Sequence, residues 1–373
     1  MGRSDETRAI GRSYLLDGLR GFAALSVLIG HMTYAENLGF AEGTYLAVDF
    51  FFILSGYVLG SSYEHRLGSE IDTRRFLLMR IVRLYPLYAL GLLLGALKAG
   101  AKTALHPVAD MAPSGFMLAL TGNTLLLPVD VGVGSISPIN RPGWSLLFEW
   151  LINIVYAAVL YRLRSGWLWA ITAVSAVILV YGGHSHHHGF DIGYAPSDFG
   201  YGLARVTYGF VLGVLIARGA RGVRGRKLTA ASLAMAPLLL VLFYIPTPPS
   251  MLLLRDVFCA MVVSPAVVLA GTRIDVPAWG RRIHGLLGDL SYPLYALHFP
   301  ILMTTIVIGN LLHLPKASIG IVAFVVPVTV AFLAERYVDK PVRRWLSERL
   351  RLRESAPPQV VGESLPREES PKA

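Results

Sequence analysis

Three ionisable residues interrupt an apolar stretch near the start of the chain, DGLRGFAALSVLIGH at residues 17–31. They are Asp17, Arg20 and His31. A charged side chain costs roughly 2.5–3.5 kcal/mol at the centre of a bilayer, so such residues indicate a functional site by default. Because a helix turns by about 100° per residue, Arg20 and His31 lie within about 20° of one face and roughly 16 Å apart. The aligned set predicts a site; the alternative is an Asp17–Arg20 pair at one boundary and His31 at the other.

The second apolar segment, VDFFFILSGYVLG, contains a single carboxylate, Asp49. A carboxylate near His31 would orient the imidazole or balance its charge. Asp49 is therefore predicted to act on His31. The neighbouring Ser55 and Gly56 are small, and their size favours a role in helix packing.

The third segment, RRFLLMRIVRLYPLY, places Arg80 and Arg83 one helical turn apart on one face. Two guanidinium groups at that spacing suit a polyanion, such as the phosphates of a nucleotide-containing cofactor. The alternative is that both residues only flank the membrane, as predicted for Arg74 and Arg75. The sequence contains no glycine-rich phosphate loop of the Walker or dinucleotide kind, so a nucleotide would be held differently.

Two later segments carry polar residues beside aromatic ones. In RPGWSLLFEW, Ser145 and Glu149 lie on one helical face next to Trp144. Glu149 is interpreted as part of a site, the alternative being a carboxylate that interacts only with the helix dipole. In LSYPLYALHFP, Tyr292 and His298 stand among prolines, a pattern that indicates the wall of a cavity.

Metal and disulfide chemistry have little support in the sequence. The loop GGHSHHHG contains several histidines that could bind a transition metal. A loop without groups that orient the imidazoles is a weak ligand set, so no metal is predicted. Cys259 is the only cysteine, which excludes an intramolecular disulfide.

The elements that must position these residues are membrane helices. Of the 373 residues, 54% are hydrophobic and 16% are charged, against about 25% charged residues in soluble domains. The sequence predicts an all-α, polytopic membrane helical bundle of about ten spans, each of about 17–25 residues. The stretch 115–128 is short and is predicted to be re-entrant or interfacial. The predicted spans are 15–33, 45–62, 82–99, 145–163, 167–181, 202–217, 230–246, 252–270, 287–311 and 318–336.

The formal net charge of +10 comes from basic residues that fall in alternate loops. This distribution follows the positive-inside rule, so it places both termini in the cytoplasm and no nucleic-acid partner is predicted. The predicted organisation is a cytoplasmic N-terminal segment (1–13), a membrane domain (14–345) and a disordered cytoplasmic tail (346–373).

Five motifs occur in an order that resembles a known family. LRGFAALSVLIGH, DFFFILSGY, RIVRLYP, GWSLLFE and LSYPLYALH are similar to motifs of the acyltransferase-3 family of integral membrane O-acyltransferases. The resemblance extends over residues 14–345 and implies a multi-pass enzyme of the bacterial inner membrane, surrounded by lipid. It implies transfer of an acyl group, acetyl on family grounds, from cytosolic acyl-CoA to a hydroxyl of a glycan or similar acceptor at the outer face.

The resemblance also implies roles for individual residues on the donor side. Arg20 and His31 match the family's arginine and histidine, and His31 is the expected catalytic base. Arg80 and Arg83 match the paired arginines associated with acyl-CoA, and acetyl-CoA is the expected donor. Arg20 is expected to stabilise negative charge on the cofactor or the transition state.

On the acceptor side, Glu149 or Asp49 is expected to orient His31. A covalent acyl-histidine relay is the second mechanism considered. The tail has no counterpart of the family's optional C-terminal hydrolase-like domain, so transfer is expected to occur wholly in the membrane core. The predicted substrate-binding residues are Trp144, Ser145, Tyr292 and His298.

Two other function classes remain open from the residues alone. A secondary transporter would move a sugar or acyl compound without modifying it, although the two halves of the sequence lack the symmetry typical of that class. A membrane scaffold without catalysis would need none of the aligned charges.

Overall fold

The computed structural model describes residues 13–36, 40–105, 111–186, 189–220, 238, 241, 243–274 and 276–352, with 102–105 as backbone only. Most of the predicted span 230–246 and the tail beyond residue 352 lie outside this part of the chain. His187 and His188 also lie outside it. Predictions made for these residues stay predictions.

Helices dominate the described residues, and no β-strand occurs among them. A chain in lipid must satisfy its backbone N–H and C=O groups internally, and a helix does so within a single segment. The α-helices are α1 (Tyr14–Ala35), α2 (Ala47–Tyr63), α3 (Thr73–Leu105), α4 (Pro113–Thr124), α5 (Gly143–Ala158), α6 (Ser165–Ser185), α7 (Phe199–Gly219), α8 (Leu252–Phe258), α9 (Ser264–Arg273), α10 (Ala278–Leu311), α11 (Lys316–Ala334) and α12 (Lys340–Arg349).

Within the described ranges, 8 helical segments are long and apolar enough to cross a membrane. Each coincides with a predicted span, which confirms the helical membrane bundle. The predicted span 145–163 corresponds to the shorter apolar helix α5, of 16 residues. The number of crossings and the side on which the termini lie stay predictions.

The stretch 115–128 overlaps the 12-residue helix α4 and continues past its end at Thr124. A helix of that length is shorter than the roughly 20 residues that cross a bilayer, as the predicted re-entrant or interfacial position requires. Two tyrosines of α3 hold it: Tyr85 and Tyr88 donate hydrogen bonds to the carbonyl oxygens of Thr124 and Asn123, at 3.0 and 2.5 Å. The loop that precedes α5 is thereby fixed to α3.

α1 and α10 lie side by side and run in the same direction. Near the start of α1, Arg20 contacts Ser291 of α10. Near the end of α1, His31 contacts His298, which follows Ser291 on α10. This pairing places the helix that carries Arg20 and His31 beside the helix that carries Ser291 and His298.

α2 packs closely against α7 through glycines. A Cβ atom on Gly56 would lie 1.9 Å from the carbonyl oxygen of Phe210, and one on Gly213 would lie 2.0 Å from the carbonyl oxygen of Ile53. No side chain fits at either position, so glycine lets the two backbones touch. This contact gives Gly56 a packing role, as its size suggests.

Two π-helical turns interrupt the later helices, at Cys259–Val263 before α9 and at Glu335–Asp339 before α12. A π turn widens the helix by one residue and is frequent at functional sites. The second turn buries the carboxylates of Glu335 and Asp339. It therefore brings two acidic groups into the bundle just before the basic helix α12.

Candidate active site

A cavity of about 200 Å³ lies between α1, α2, α3, α5 and α10. Both apolar and polar side chains form its wall. We call the part formed by Arg20, Arg80 and Arg83 the arginine end. The polar lining residues are Arg20, Ser55, Arg80, Arg83, Ser145, Glu149, Ser291, Tyr292 and Tyr295.

Arg20 is held by α1 and α10 together. Its Nε donates a hydrogen bond to Oγ of Ser291 at 2.8 Å, and its Nη2 donates to the carbonyl oxygen of Gly288 at 3.0 Å. Nη2 also lies 3.4 Å from Oδ1 of Asp17. The Asp17–Arg20 pair, considered above as the alternative to a site, therefore exists, and it fixes a guanidinium group that lines the cavity.

Glu149 lies at the arginine end and not beside His31. Its Oε1 accepts hydrogen bonds from Oγ of Ser55 at 2.6 Å and from Nη2 of Arg80 at 3.2 Å. The Arg80 and Glu149 side chains are 15% and 14% exposed, so the pair is shielded from solvent. The expectation that Glu149 orients His31 is corrected accordingly: its carboxylate balances Arg80, because a buried charge needs a partner of opposite sign.

Arg83 lies against an aromatic ring. Its guanidinium carbon is 5.4 Å from the ring centre of Tyr292, a cation–π contact. The Tyr292 hydroxyl donates a hydrogen bond to the carbonyl oxygen of Leu84, which fixes the ring. Nη1 of Arg83 lies 3.5 Å from Oδ2 of Asp339, in the π turn before α12. Arg83 is thus positioned by α10 and by the C-terminal part of the chain.

Asp49 also differs from its predicted role. Both of its carboxylate oxygens accept hydrogen bonds from Arg205 of α7, at 2.9 and 2.7 Å. Arg205 is fully buried and also donates to the carbonyl oxygens of Tyr45 and Ile192. The forked guanidinium satisfies a buried carboxylate better than a neutral imidazole can. Trp144 lies over the same guanidinium, with its ring centre 5.5 Å away.

Arg205 was missed from the sequence, although one signal could have found it. It is the only charged residue in the predicted span 202–217. An arginine in the middle of an apolar helix requires a buried acidic partner. Asp49 and Trp144 consequently belong to a structural centre beside the cavity, and neither is among the residues that line it.

His31 and His298 form a pair at the other end of α1. Nδ1 of His31 lies 3.0 Å from the carbonyl oxygen of Val27 and 3.2 Å from Nε2 of His298. Nδ1 of His298 lies 3.0 Å from the carbonyl oxygens of Leu294 and Tyr295. The two ring centres are 5.1 Å apart. We call these two residues the histidine pair.

These contacts assign the tautomers of the histidine pair. A carbonyl oxygen only accepts hydrogen bonds, so each neutral ring carries its proton on Nδ1. Nδ1–H of His31 is then shared between Val27 and Nε2 of His298. Nε2 of His31 keeps its lone pair and can accept a proton. The residue that orients His31 is therefore His298, which the sequence suggested only as a substrate contact.

Tyr295 connects the cavity with the histidine pair. It lines the cavity, and its ring centre is 6.0 Å from that of His298. Its hydroxyl lies 2.5 Å from Oγ of Ser145, and Oγ of Ser145 is 3.0 Å from the carbonyl oxygen of Pro142. Ser145 therefore donates to Pro142 and accepts from Tyr295. This hydrogen bond fixes the Tyr295 ring at the wall of the cavity, beside His298.

Beyond the histidine pair lie an aromatic ring and a cation. Phe299 packs edge-on against His31 with ring centres 5.3 Å apart, and Nζ of Lys98 is 5.6 Å from the centre of the Phe299 ring. Within the described residues, no group of three or more His, Cys, Asp or Glu side chains could hold a metal ion.

Fold and site together define a multi-pass helical membrane protein with three arginines at one cavity and a pair of imidazoles near it. The model of the acyltransferase domain family matches residues 13–336. The chain belongs to this family, acyltransferase-3, and is an acyltransferase. Membership favours catalysis over the transporter and scaffold alternatives.

Several curated proteins are similar to the chain. "Protein 2 in picA locus" of Rhizobium radiobacter is 37% identical over 185 residues, which is 45% of this chain and 93% of that protein. A stretch of 73 residues is 47% identical to "Putative peptidoglycan O-acetyltransferase YrhL" of Bacillus subtilis and 38% identical to "O-acetyltransferase OatA" of Staphylococcus aureus. Each of these two matches covers 19% of this chain and 11% of the relative. No solved structure matches the chain.

Proposed function

We propose that the protein transfers an acetyl group from acetyl-CoA to a hydroxyl group of a glycan. The observation that carries the proposal is a single cavity that joins the arginine end to Tyr295, which contacts the histidine pair. Phosphates suit the first region and a proton-accepting imidazole suits the second. The relatives named as O-acetyltransferases support acetyl as the group transferred and oxygen as its acceptor.

The arginine end would bind the phosphates of acetyl-CoA, with Arg80 and Arg83 as the principal contacts. The pantetheine arm would extend along the cavity toward Tyr295. Arg20 and His31 are separated by roughly 16 Å along α1, because a helix rises 1.5 Å per residue. Arg20 is therefore too far from His31 to stabilise the transition state, and we assign it to the charge of the donor.

His31 would act as the general base. As the acceptor oxygen attacks the thioester carbonyl, Nε2 of His31 takes the hydroxyl proton. A new C–O bond forms, the C–S bond breaks, and the imidazolium returns its proton to the departing thiolate of CoA. His298 orients His31 by accepting a hydrogen bond from its Nδ1–H.

The sidedness follows from the charge distribution of the sequence. With both termini in the cytoplasm of a bacterial cell, the arginine end would face the pool of acyl-CoA. The histidine pair would then lie toward the outer face, where a glycan acceptor is accessible. The peptidoglycan in the name of the Bacillus subtilis relative is an acceptor of this kind.

The test is transfer of label from [acetyl-¹⁴C]acetyl-CoA into a host glycan extract by membranes that contain the wild type or a variant. We expect transfer by the wild type and none above background by His31→Ala at equal protein level. The matched control is His65→Ala, which removes an exposed imidazole that does not line the cavity.

The outcomes separate the parts of the proposal. Substantial transfer by His31→Ala would contradict the role of His31 as base. Stable label on the purified wild type, lost on His31→Ala, would favour the acyl-histidine relay. Failure of the wild type with a panel of acyl-CoAs and glycans would contradict the proposed donor.

A further inference from the structure

One carboxylate at the arginine end is shared by two arginines from distant parts of the chain. Oδ2 of Asp339 lies 2.9 Å from Nη1 of Arg343 in α12 and 3.5 Å from Nη1 of Arg83 in α3. Asp339 is 1% exposed. Because both guanidinium groups contact the same oxygen, they lie close enough for one phosphate group to reach both.

The charges of this cluster are unbalanced. One carboxylate offsets two guanidinium groups, and Arg83 experiences the positive charges of both Arg343 and Arg20. Like charges held at short range repel each other unless an anion joins them. Each guanidinium also has five N–H donors, of which Asp339 can use only a few. The cluster is therefore suited to a phosphate.

The exposure of the three side chains shows where that anion could bind. Arg83 and Arg343 are 32% and 34% exposed, whereas Asp339 lies behind them and is buried. Arg83 lines the cavity, and Arg343 lies beyond it. A ligand that extends from the cavity would thus meet Arg83 first and Arg343 afterwards.

We infer that Arg343 is a fourth donor-binding arginine, which contacts the 3′-phosphate of CoA, and that Asp339 is the residue that positions it. The inference rests on the proposed function, because it takes acetyl-CoA as the donor. In CoA the thioester is followed by the pantetheine arm, the pyrophosphate and finally the 3′-phosphate on the ribose. Arg80 and Arg83 then face the pyrophosphate, and Arg343 faces the phosphate group furthest from the thioester.

The experiment compares acetyl-CoA with acetyl-3′-dephospho-CoA as donors for Arg343→Ala. We expect the KM for acetyl-CoA to rise by about tenfold, as loss of a charge-assisted hydrogen bond predicts. The KM for acetyl-3′-dephospho-CoA should stay within about twofold of the wild-type value. The variant therefore loses the discrimination between the two donors, which a merely structural role would not affect.

Two further variants test whether the effect depends on the position and the shape of the Arg343 side chain. Arg344→Ala removes the same charge from the adjacent, exposed position of α12 and should leave both KM values unchanged. Arg343→Lys keeps the charge but not the forked geometry and should give an intermediate KM for acetyl-CoA. An equal change for both donors in Arg343→Ala would overturn the inference, since it would reduce Arg343–Asp339 to a helix-stabilising pair.

Equilibrium binding separates this inference from the proposed function. Labelled acetyl-CoA and its 3′-dephospho analogue are bound to purified wild type and Arg343→Ala without an acceptor. A wild type that binds acetyl-CoA more tightly than the analogue, with the preference lost in the variant, supports the inference even where no transfer occurs. A wild type that binds both donors equally, or neither, overturns it.

Discussion

The arginine end and the histidine pair differ in the partners that hold their side chains in place. At the arginine end, guanidinium groups are paired with carboxylates, as Arg80 is with Glu149. In the histidine pair, the hydrogen-bond partners are carbonyl oxygens and the other imidazole. The first arrangement holds permanent charges in place, and the second keeps a neutral ring in one tautomer. The anion binding and the proton transfer that we propose therefore occupy different places.

This separation has a kinetic consequence. Residues at the arginine end should act on the KM for the donor, whereas residues of the histidine pair should act on kcat. Tyr295 and Ser145 line the cavity, and Tyr295 also contacts the histidine pair. Variants that change only KM at the arginine end, or only kcat at the histidine pair, would support this separation of roles. Variants that change both constants would contradict it.

The largest effect is expected for His31→Gln. Loss of a general base lowers kcat by about 10²–10⁴-fold. The KM for acetyl-CoA should stay within about twofold, because Arg20 of the arginine end, where we propose that the donor phosphates bind, lies roughly 16 Å away along α1. Steady-state kinetics on membranes with matched protein levels would measure both constants. A large rise in KM with little change in kcat would place His31 in donor binding instead.

A second large effect, on stability and not on either kinetic constant, is expected for Asp49→Asn. Removal of one partner from a buried ion pair destabilises a protein by about 3–5 kcal/mol, because Arg205 keeps an uncompensated charge. Thermal unfolding of the purified protein would show the loss, with the exposed Glu42→Gln as control. If Asp49 instead acted on His31, kcat per folded molecule would fall. Asp49 would then take part in the reaction at the histidine pair, and not only in a structural ion pair.

Asp49 and Arg205 also show where the sequence stopped being informative. The helix period was enough to align Arg20 with His31, and local spacing was enough to place Arg80 and Arg83 on one face. The partner of Asp49 lies 156 positions away, and no local rule selects among residues at that separation. The apolar patterns predicted the helices well, but the tertiary pairing of their charges followed from packing between α2 and α7.

The contact between His31 and His298 was not predicted, for a related reason. Sequence reasoning gave His31 a carboxylate partner, since histidine and carboxylate are a familiar combination. In the structure, α10 lies parallel to α1 and brings His298 to the same level, whereas Glu149 is one turn below Ser145 and faces Arg80. The sequence drew attention to each of these residues, but its partner depended on the direction and level of its helix.

A smaller effect is expected for Arg83→Ala. Charge-assisted hydrogen bonds contribute about 1.5–3 kcal/mol, which corresponds to a rise of roughly 10–100-fold in the KM for acetyl-CoA. Because Arg83 also lies over Tyr292, Arg83→Lys should recover only part of the affinity. Donor titrations at saturating acceptor would measure the change. A fall in kcat at unchanged KM would contradict the assignment of the arginine end to the donor.

The smallest effect separates orientation from packing at the histidine pair. His298→Leu removes the acceptor for Nδ1–H of His31, and a hydrogen bond of about 0.5–1.5 kcal/mol predicts a fall in kcat of up to about tenfold. His298→Gln retains an acceptor oxygen at nearly the same reach and should restore most of the rate. The KM for acetyl-CoA should not change in either variant. Equal losses in both would mean that the imidazole of His298 is needed for its shape or its own proton, and His31 would then act as one member of a catalytic pair.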